Sequence, residues 1–274
     1  MTSRLTDRTI DDFGDQWTRY TGNEGFYGSP ELLADVFGPL LDMDALKGKR
    51  VAEIGSGTGR IVNMLLAGGA AHVTALEPSQ AMQVLRQNTQ RDADRITYLE
   101  CRGEELPAEP AQDIIVSIGV LHHIPDPEPV VAAAYGALEP GGQFLVWLYG
   151  WEGNAAYLLL ALPLRFISTR LPHAMLSGLC HVLNAILGLY IGIARRIPVP
   201  LHRYMTEVIG RFSRQKRYLV IYDQLNPAYA KYYREAEARQ LLERAGFADV
   251  VLYHRHGYSW TVMGRRPPRK ELQS

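Results

Sequence analysis

The chain has 274 residues, and its Lys+Arg and Asp+Glu totals are both 29, so its formal net charge is zero. A balanced charge provides no general attraction to nucleic acid, and we expect no nucleic-acid partner. The two cysteines, Cys101 and Cys180, form no ligand-spaced pair, which predicts that the chain has no metal site. The polar, charged start without an apolar signal core predicts a cytoplasmic protein.

Residues 1–44 form an N-terminal extension that is predicted to contain a helix. Phe13, Trp17 and Tyr20 follow the spacing i, i+4, i+7, which places three aromatic side chains on one helical face. One hypothesis is that this stripe packs on the body of the protein. The other is that the helix covers a ligand as a lid, with the turn-rich residues 22–30 as its hinge.

The glycine-rich loop that follows is the most informative local pattern. An apolar run from Val51 carries Glu53, continues through Gly55, Gly57 and Gly59, and leads directly into periodic apolar residues. The pattern predicts a buried strand, a tight turn and a helix. Glycines allow a close backbone approach and positive φ angles, and the helix N-terminus supplies free N–H groups. The spacing E-x-G-x-G-x-G differs from the dinucleotide-binding G-x-G-x-x-G.

Further strands follow in a regular order. Residues 71–79 predict a second strand that ends at Glu77, about 20 residues beyond the loop, where a carboxylate can accept hydrogen bonds from ribose hydroxyls. Residues 96–100 predict a third strand. A fourth strand is predicted from Asp113, and a fifth follows the turn Leu138-Glu139-Pro140-Gly141-Gly142.

These ordered motifs, over residues 45–150, resemble class I S-adenosylmethionine-dependent methyltransferases, for which the L-x-P-G-G turn is typical. The resemblance implies a three-layer α/β Rossmann-like fold, with a seven-stranded, mostly parallel sheet and an antiparallel C-terminal hairpin. It also implies S-adenosyl-L-methionine as the cofactor. Arg102 stands where the family's adenine loop commonly has an aspartate. The implied cofactor-binding residues are Trp17, Glu53, Gly55, Ser56, Gly57, Gly59, Arg60, Glu77, Pro78, Ser79, Arg102, Gly103, Glu104, Ile118 and Gly119.

The part of the chain beyond the fifth strand departs from the simple family pattern. The last helix is expected over residues 235–245, and the closing hairpin over 249–254 and 258–264. Residues 151–233 are therefore predicted to be a mainly helical insertion, residues 234–266 to complete the core, and residues 267–274 to be a tail. Insertions at the carboxyl ends of strands lie over the ligand crevice, so this segment is expected to cap the acceptor.

Residues 171–194 contain no Asp, Glu, Lys or Arg, yet Ser177, His181 and Asn184 share one helical stripe with two glycines. Three hypotheses remain open. The segment is a buried cap helix, an interfacial helix that meets an amphipathic acceptor, or a membrane span. We predict a cap that buries its Leu and Ile face. The flanking arginines would reach lipid phosphates or solvate the helix ends, and they are Arg165, Arg170, Arg195 and Arg196.

Candidate catalytic residues lie after the fourth strand. His122 or His123 would remove the proton from an acceptor hydroxyl. Because adjacent residues point apart, only one of them is expected to reach the acceptor, and the other is expected to be structural. The tyrosine-rich end of the insertion is predicted to line the acceptor pocket through Tyr222, Asp223, Asn226 and Tyr229.

We therefore expect a methyltransferase that methylates a hydroxyl on a glycan or an amphipathic small molecule, which could be carried on a lipid. One alternative is a carbon-methylating enzyme that acts on a quinone or polyketide ring. Another is a binding protein that keeps the fold without catalysis. An interfacial helix would add weak contact with the inner face of the membrane.

Overall fold

The computed structural model describes residues 2–268, so most of the predicted tail lies outside the described residues. Its centre is a seven-stranded sheet in the order β3-β2-β1-β4-β5-β7-β6. The first five strands pair in parallel, and β7 is antiparallel to both β5 and β6. The strands are β1 Arg50–Ile54, β2 His72–Leu76, β3 Ile96–Leu99, β4 Gln112–Ile118, β5 Leu138–Tyr149, β6 Ala248–Arg255 and β7 Ser259–Arg265.

Helices cover both faces of this sheet and complete three layers. Two buried apolar clusters, one on each face, hold the layers together. Parallel strands that are buried on both faces need such continuous apolar runs. The predicted fold class is thus confirmed. The helices are α1 Thr2–Arg19, α2 Pro30–Phe37, α3 Arg60–Ala67, α4 Met82–Asn88, α5 Glu128–Ala137, α6 Ala155–Ser168, α7 His173–Ala194, α8 Arg214–Leu225 and α9 Glu235–Glu243.

The segment between β5 and α9 is mainly helical, as predicted, and consists of α6, α7, α8 and short turns. α1 connects it to the rest of the molecule. Gln16 Nε2 donates to Asp223 Oδ1 at 3.1 Å, and the backbone N of Ala228 donates to Asp12 Oδ2 at 3.0 Å. The N-terminal helix therefore packs on the inserted helices as well as on the sheet edge.

α7 buries only part of the Leu and Ile face that we expected to be covered. Ser177 accepts a hydrogen bond from the Tyr218 hydroxyl at 2.9 Å, and Asn184 Nδ2 donates to the Arg214 carbonyl at 2.8 Å, so the polar stripe faces α8. On the opposite side Ile186, Leu189 and Ile193 are exposed, whereas Leu176 and Ile191 are buried. The expectation of a buried Leu and Ile face is wrong for these three side chains, because α7 turns Ser177 and Asn184 toward the Tyr218 hydroxyl and the Arg214 carbonyl of α8. Within residues 2–268, α7 is the one helix long and apolar enough to cross a membrane.

Candidate active site

The glycine loop after β1 has the backbone geometry that only glycine adopts easily. Gly57 has φ of +51°, and a Cβ at this position would lie 3.3 Å from Trp17 Nε1. At Gly55, with φ of +80°, a Cβ would collide with the Val120 side chain at 2.5 Å. Both positions therefore require glycine, for φ and for space. The loop lies at the carboxyl edge of the sheet, directly before the start of α3.

Glu77 stands at the end of β2 and faces this loop. Its Oε2 accepts a hydrogen bond from the Gly57 backbone N at 2.8 Å, and its Oε1 accepts from the Ser79 backbone N at 3.0 Å and from the Ser79 hydroxyl at 2.5 Å. Burial raises the pKa of Glu77, while these hydrogen bonds act in the opposite direction. These hydrogen bonds fix the carboxylate beside the loop, where it can accept hydrogen bonds from ribose hydroxyls.

Glu53 lies behind the loop rather than in the cavity. The side chain is 2% exposed, and its Oε2 has no hydrogen-bond partner among the described residues. Burial raises the pKa of Glu53 to about 8. A buried polar atom without a partner is uncommon, and here it lies behind the glycine loop rather than on the cavity wall.

One cavity of about 820 Å³ connects the cofactor and acceptor regions. Four of the predicted cofactor residues lie behind its wall: Glu53, Ser56, Gly59 and Ser79. Ser79 holds Glu77 in place, and Gly59 precedes α3 with φ of +80°. The other predicted residues line the cavity, and they are Trp17, Gly55, Gly57, Arg60, Glu77, Pro78, Arg102, Gly103, Glu104, Ile118 and Gly119.

Arg60 extends from the start of α3 into the cavity. Its guanidinium lies 4.4 Å from the centre of the Tyr27 ring, and it donates to the Tyr27 carbonyl at 3.2 Å. A cation at this position, beside the free N–H groups of a helix N-terminus, suits the carboxylate of a methionine moiety.

Arg102 occupies the position where the family commonly has an aspartate. Its Nη2 donates to Asp7 Oδ1 of α1 at 2.5 Å. The substitution therefore links the adenine loop to the N-terminal helix.

The aromatic stripe of α1 divides between two surroundings. Phe13 and Trp17 stack with ring centres 6.3 Å apart and line the cavity, and the Phe13 ring lies 4.8 Å from that of His123. The Tyr20 hydroxyl instead lies 3.0 Å from the Tyr218 hydroxyl, on the inserted helices. Covering the cavity and packing on the protein are both properties of this helix, as the two sequence hypotheses allowed.

The two histidines after β4 have different surroundings. His122 is fully buried outside the cavity lining, and its ring stacks on Tyr149 at 3.7 Å. His123 lines the cavity, and its Nδ1 donates to the Tyr229 carbonyl at 2.8 Å. Burial holds the pKa of His122 well below its ordinary value and lowers the pKa of His123 to about 3. The neutral His123 then carries an unprotonated Nε2, a weak proton acceptor that is buried without a hydrogen-bond partner among the described residues.

Asp223 is the predicted acceptor residue that reaches the cavity. It extends from α8, where its Oδ1 accepts from Gln16 and its Oδ2 accepts a long hydrogen bond of 3.4 Å from the Tyr149 hydroxyl. Burial inside the cavity raises the pKa of Asp223. A carboxylate with a raised pKa is a stronger base than the neighbouring His123.

The other predicted acceptor residues have structural contacts instead. The Tyr222 hydroxyl lies 2.9 Å from His173 Nδ1, Asn226 Nδ2 donates to the Asp12 carbonyl at 3.1 Å, and Tyr229 contributes its carbonyl to His123. None of the three lines the cavity. The run begins inside α8 rather than as a loop, so helical geometry turns Tyr222 away from the side that carries Asp223.

Sequence reasoning missed several polar residues of the acceptor region. Tyr149 ends β5, Tyr157 begins α6, and the hydroxyls of Tyr157 and Tyr232 both donate to Gln224 Oε1 at 3.3 Å. The signal available for Tyr149 was its position at the carboxyl end of a central strand. Arg165, expected at the surface, is buried and donates to the Pro227 carbonyl at 2.9 Å.

Comparison with known proteins agrees with this geometry. Residues 52–146 match the family model described as a methyltransferase domain. Ubiquinone biosynthesis O-methyltransferase of Aromatoleum aromaticum is 35% identical over 130 residues, which cover 43% of this chain and 55% of the relative. The protein of the same name from Pseudomonas putida is 32% identical over 131 residues, covering 47% and 56%. The chain thus spans about half the length of these curated relatives.

Solved structures resemble the whole fold at low identity. Magnesium protoporphyrin IX methyltransferase from Synechocystis PCC 6803, with bound S-adenosylhomocysteine, has a TM-score of 0.54 and 17% identity, covering 97% of this chain and 99% of that one. The 1,6-didemethyltoxoflavin-N1-methyltransferase of Burkholderia thailandensis has a TM-score of 0.53 and 16% identity, covering 96% and 87%.

The fold and the glycine-loop site define a class I Rossmann-like methyltransferase domain. Residues 52–146 belong to the S-adenosylmethionine-dependent methyltransferase family, whose cofactor is S-adenosyl-L-methionine.

Proposed function

We propose that this protein transfers a methyl group from S-adenosylmethionine to a hydroxyl on an amphipathic, ring-containing small molecule. The names of the curated relatives, which are O-methyltransferases of ubiquinone biosynthesis, support oxygen as the methylated atom. The proposal refines the sequence expectation, in which a glycan stood beside amphipathic molecules as the acceptor class.

A single observation carries the proposal: the Asp223 carboxylate and the glycine loop face the same cavity. Methyl transfer from a sulfonium is an in-line displacement, so aligning the two reactants in a desolvated space provides most of the acceleration. When bound, the cofactor supplies an electrophilic methyl group. Gly57 and Glu77 would orient it from one side, and α1 would exclude water from above.

Asp223 is our candidate base for the acceptor hydroxyl. Its raised pKa keeps it basic enough to accept a proton, and the hydrogen bonds from Gln16 and Tyr149 fix its orientation. His123, with its lowered pKa, would accept a hydrogen bond from the acceptor and position it. In this assignment His122 supports the ring of Tyr149 from behind.

The lining of the acceptor region favours an amphipathic molecule over a glycan. Apolar side chains from α6, α7 and the turn before α8 line the cavity together with polar groups that include Asp223. Cavities with mostly apolar walls and a few convergent polar groups usually bind ligands that have an apolar part and a small polar part. The walls include Leu160, Leu164, Leu183, Leu187, Met205 and Val208.

The test is an acceptor panel in which release of S-adenosylhomocysteine is measured. Alkyl- or prenyl-substituted phenols, catechols and hydroquinones should be methylated, and free sugars should not. Product NMR should show a methoxy group. A ring methyl group would favour the carbon-methylating alternative, and cofactor binding without turnover on any acceptor would favour the non-catalytic one. The Asp223→Asn variant should lose turnover. Asp249→Asn, at the start of β6 and outside the cavity lining, is the matched control and should keep it.

A further inference from the structure

The two helices α6 and α7 carry a large exposed apolar surface, which we call the α6–α7 face. On α6, Leu159 and Leu160 are 76% and 75% exposed, and on α7 Leu189 is 69% exposed. The face also includes Leu162, Phe166, Ile167, Met175, Val182, Ile186 and Ile193. Large apolar side chains that are exposed in such numbers mark an interaction site, whereas a few scattered ones do not.

The exposed stripe of α7 lies opposite the stripe that packs on the protein. Residues 175, 182, 186, 189 and 193 repeat at helical spacing, and at 100° per residue they lie about 180° from the buried Asn184 and Ile191. The apolar side thus faces outward while Ser177 and Asn184 bond to α8. A helix evolved only to pack on its own domain would have the reverse polarity.

The charge around the α6–α7 face is positive. Residues 153–206 contain five arginines and no Asp, Glu or Lys. Arg170, Arg195 and Arg196 are exposed at the helix ends, and each donates to a backbone carbonyl rather than to a carboxylate. Apolar stripes that are bordered by unneutralised arginines complement a layer of lipid tails beneath anionic phosphates.

The cavity of the proposed active site reaches this face. Leu160 is part of the exposed surface and also lines the cavity, and Leu183 and Leu187 of α7 line it as well. Leu160 therefore lies where the cavity lining meets the outer surface of the inserted helices.

We propose that the α6–α7 face docks on the surface of an anionic phospholipid bilayer, so that a lipophilic acceptor enters the cavity past Leu160. The docking proposal depends only on the exposed residues of the α6–α7 face. The entry of the acceptor depends in addition on the proposed function. The helices lie in the interface rather than crossing it, because the inner stripe of α7 is already packed and hydrogen-bonded on α8.

The experiment is flotation of the full chain with phosphatidylcholine vesicles, with and without phosphatidylglycerol. We expect binding that requires the anionic lipid and weakens as salt is raised. A variant with Leu159→Ser, Phe166→Ser, Ile186→Ser and Leu189→Ser should lose binding by roughly tenfold or more. None of these side chains lines the cavity. Val251→Ser, at an exposed apolar residue on the sheet edge, is the matched control and should bind as the wild type does.

The basic border is tested separately. Arg195→Gln with Arg196→Gln should weaken binding to anionic vesicles by roughly tenfold or more, since each basic residue near the surface contributes to the attraction. Arg91→Gln, an exposed arginine on the side of the sheet near β3, should have no effect. Unchanged thermal unfolding and cofactor binding in every variant would establish that the fold is intact.

Four results would overturn the proposal. They are absence of vesicle binding, equal binding to neutral vesicles, persistence of the protein in membranes through a carbonate wash, and a serine variant that changes from oligomer to monomer without any vesicle effect. The last would assign the face to a second copy of the chain. Methylation of a short-chain, water-soluble phenol is measured without vesicles, so its failure would contradict the proposed function while leaving docking to be judged by flotation.

Discussion

The indole of Trp17 lies over Gly57, at a distance that leaves 3.3 Å between Trp17 Nε1 and a Cβ built on the glycine. An aromatic residue 40 positions upstream thus covers the loop where the cofactor is expected. The same helix bonds to Asp223 through Gln16, so the cover and the proposed base are parts of one connected unit.

Trp17→Ala should weaken binding of S-adenosylmethionine by roughly tenfold, because the loop loses its apolar cover. Isothermal titration calorimetry measures the change, and the fluorescence of Trp17 in the wild type should respond to the cofactor. Tyr20→Phe, on the same stripe but outside the cavity, is the control. Equal affinity in Trp17→Ala would leave α1 with a packing role alone.

Glu77→Ala should reduce cofactor affinity by about 1.5–3 kcal/mol, the value of hydrogen bonds to a charged group. Glu77→Gln should lose less, since an amide can still accept one hydrogen bond. Calorimetry again measures both. If Glu77→Ala binds the cofactor with wild-type affinity, this carboxylate does not hold the ribose.

Asp223→Asn should lower turnover by roughly 100-fold or more with little change in cofactor affinity, because the acceptor loses its general base. His123→Ala should lower turnover less and raise the acceptor KM, as expected for a positioning residue. The reverse ranking would assign the base to His123, in agreement with the sequence-based hypothesis.

The dependence of kcat/KM on pH separates these two bases. A base must be unprotonated, so activity rises with pH through its pKa. Burial raises the pKa of Asp223, which predicts an activity rise above the ordinary range of a carboxyl group. His123, with its pKa lowered to about 3, would produce no rise near neutrality. The rise should disappear in Asp223→Asn, and its persistence there would contradict the assignment.

Glu53 should make the cofactor-free protein less stable as pH rises. Its pKa is about 8 in the folded protein and near 4.5 when exposed. Between these values the folded state holds more protons than the unfolded state, so the free energy of unfolding falls as pH rises from about 4.5 to about 8. Glu53→Gln should make this slope shallower in denaturant unfolding, and the raised pKa values of Glu77 and Asp223 account for the slope that remains. An identical slope in both proteins would show that Glu53 is ionised normally.

The pairing of Arg102 with Asp7 should couple the adenine loop to α1. Both side chains are partly exposed, so we expect a coupling of only about 0.2–1 kcal/mol in a double-mutant cycle of Arg102→Ala and Asp7→Ala. Cofactor affinity is the measured quantity. Strictly additive effects would mean that the ion pair contributes nothing to holding the helix over the site.

Local patterns in the sequence determined the parallel core and its cofactor loop. The glycines at 55, 57 and 59 are informative because the φ requirement acts on single residues, and Glu77 is informative because strand ends are recognisable from apolar runs. The closing hairpin also follows from local alternation, and its observed strands differ from the predicted ones by one residue at each end.

Only the tertiary structure decided which polar groups share the cavity. Asp223 lies 100 residues from His123 in sequence, and helical geometry on α8 selects Asp223 and turns Tyr222 away. The outward apolar face of α7 was likewise decided by a partner, because the Arg214 carbonyl and the Tyr218 hydroxyl of α8 bond to Asn184 and Ser177 on its inner side. A sequence pattern determines that two faces differ, but which face is buried depends on the element that packs against it.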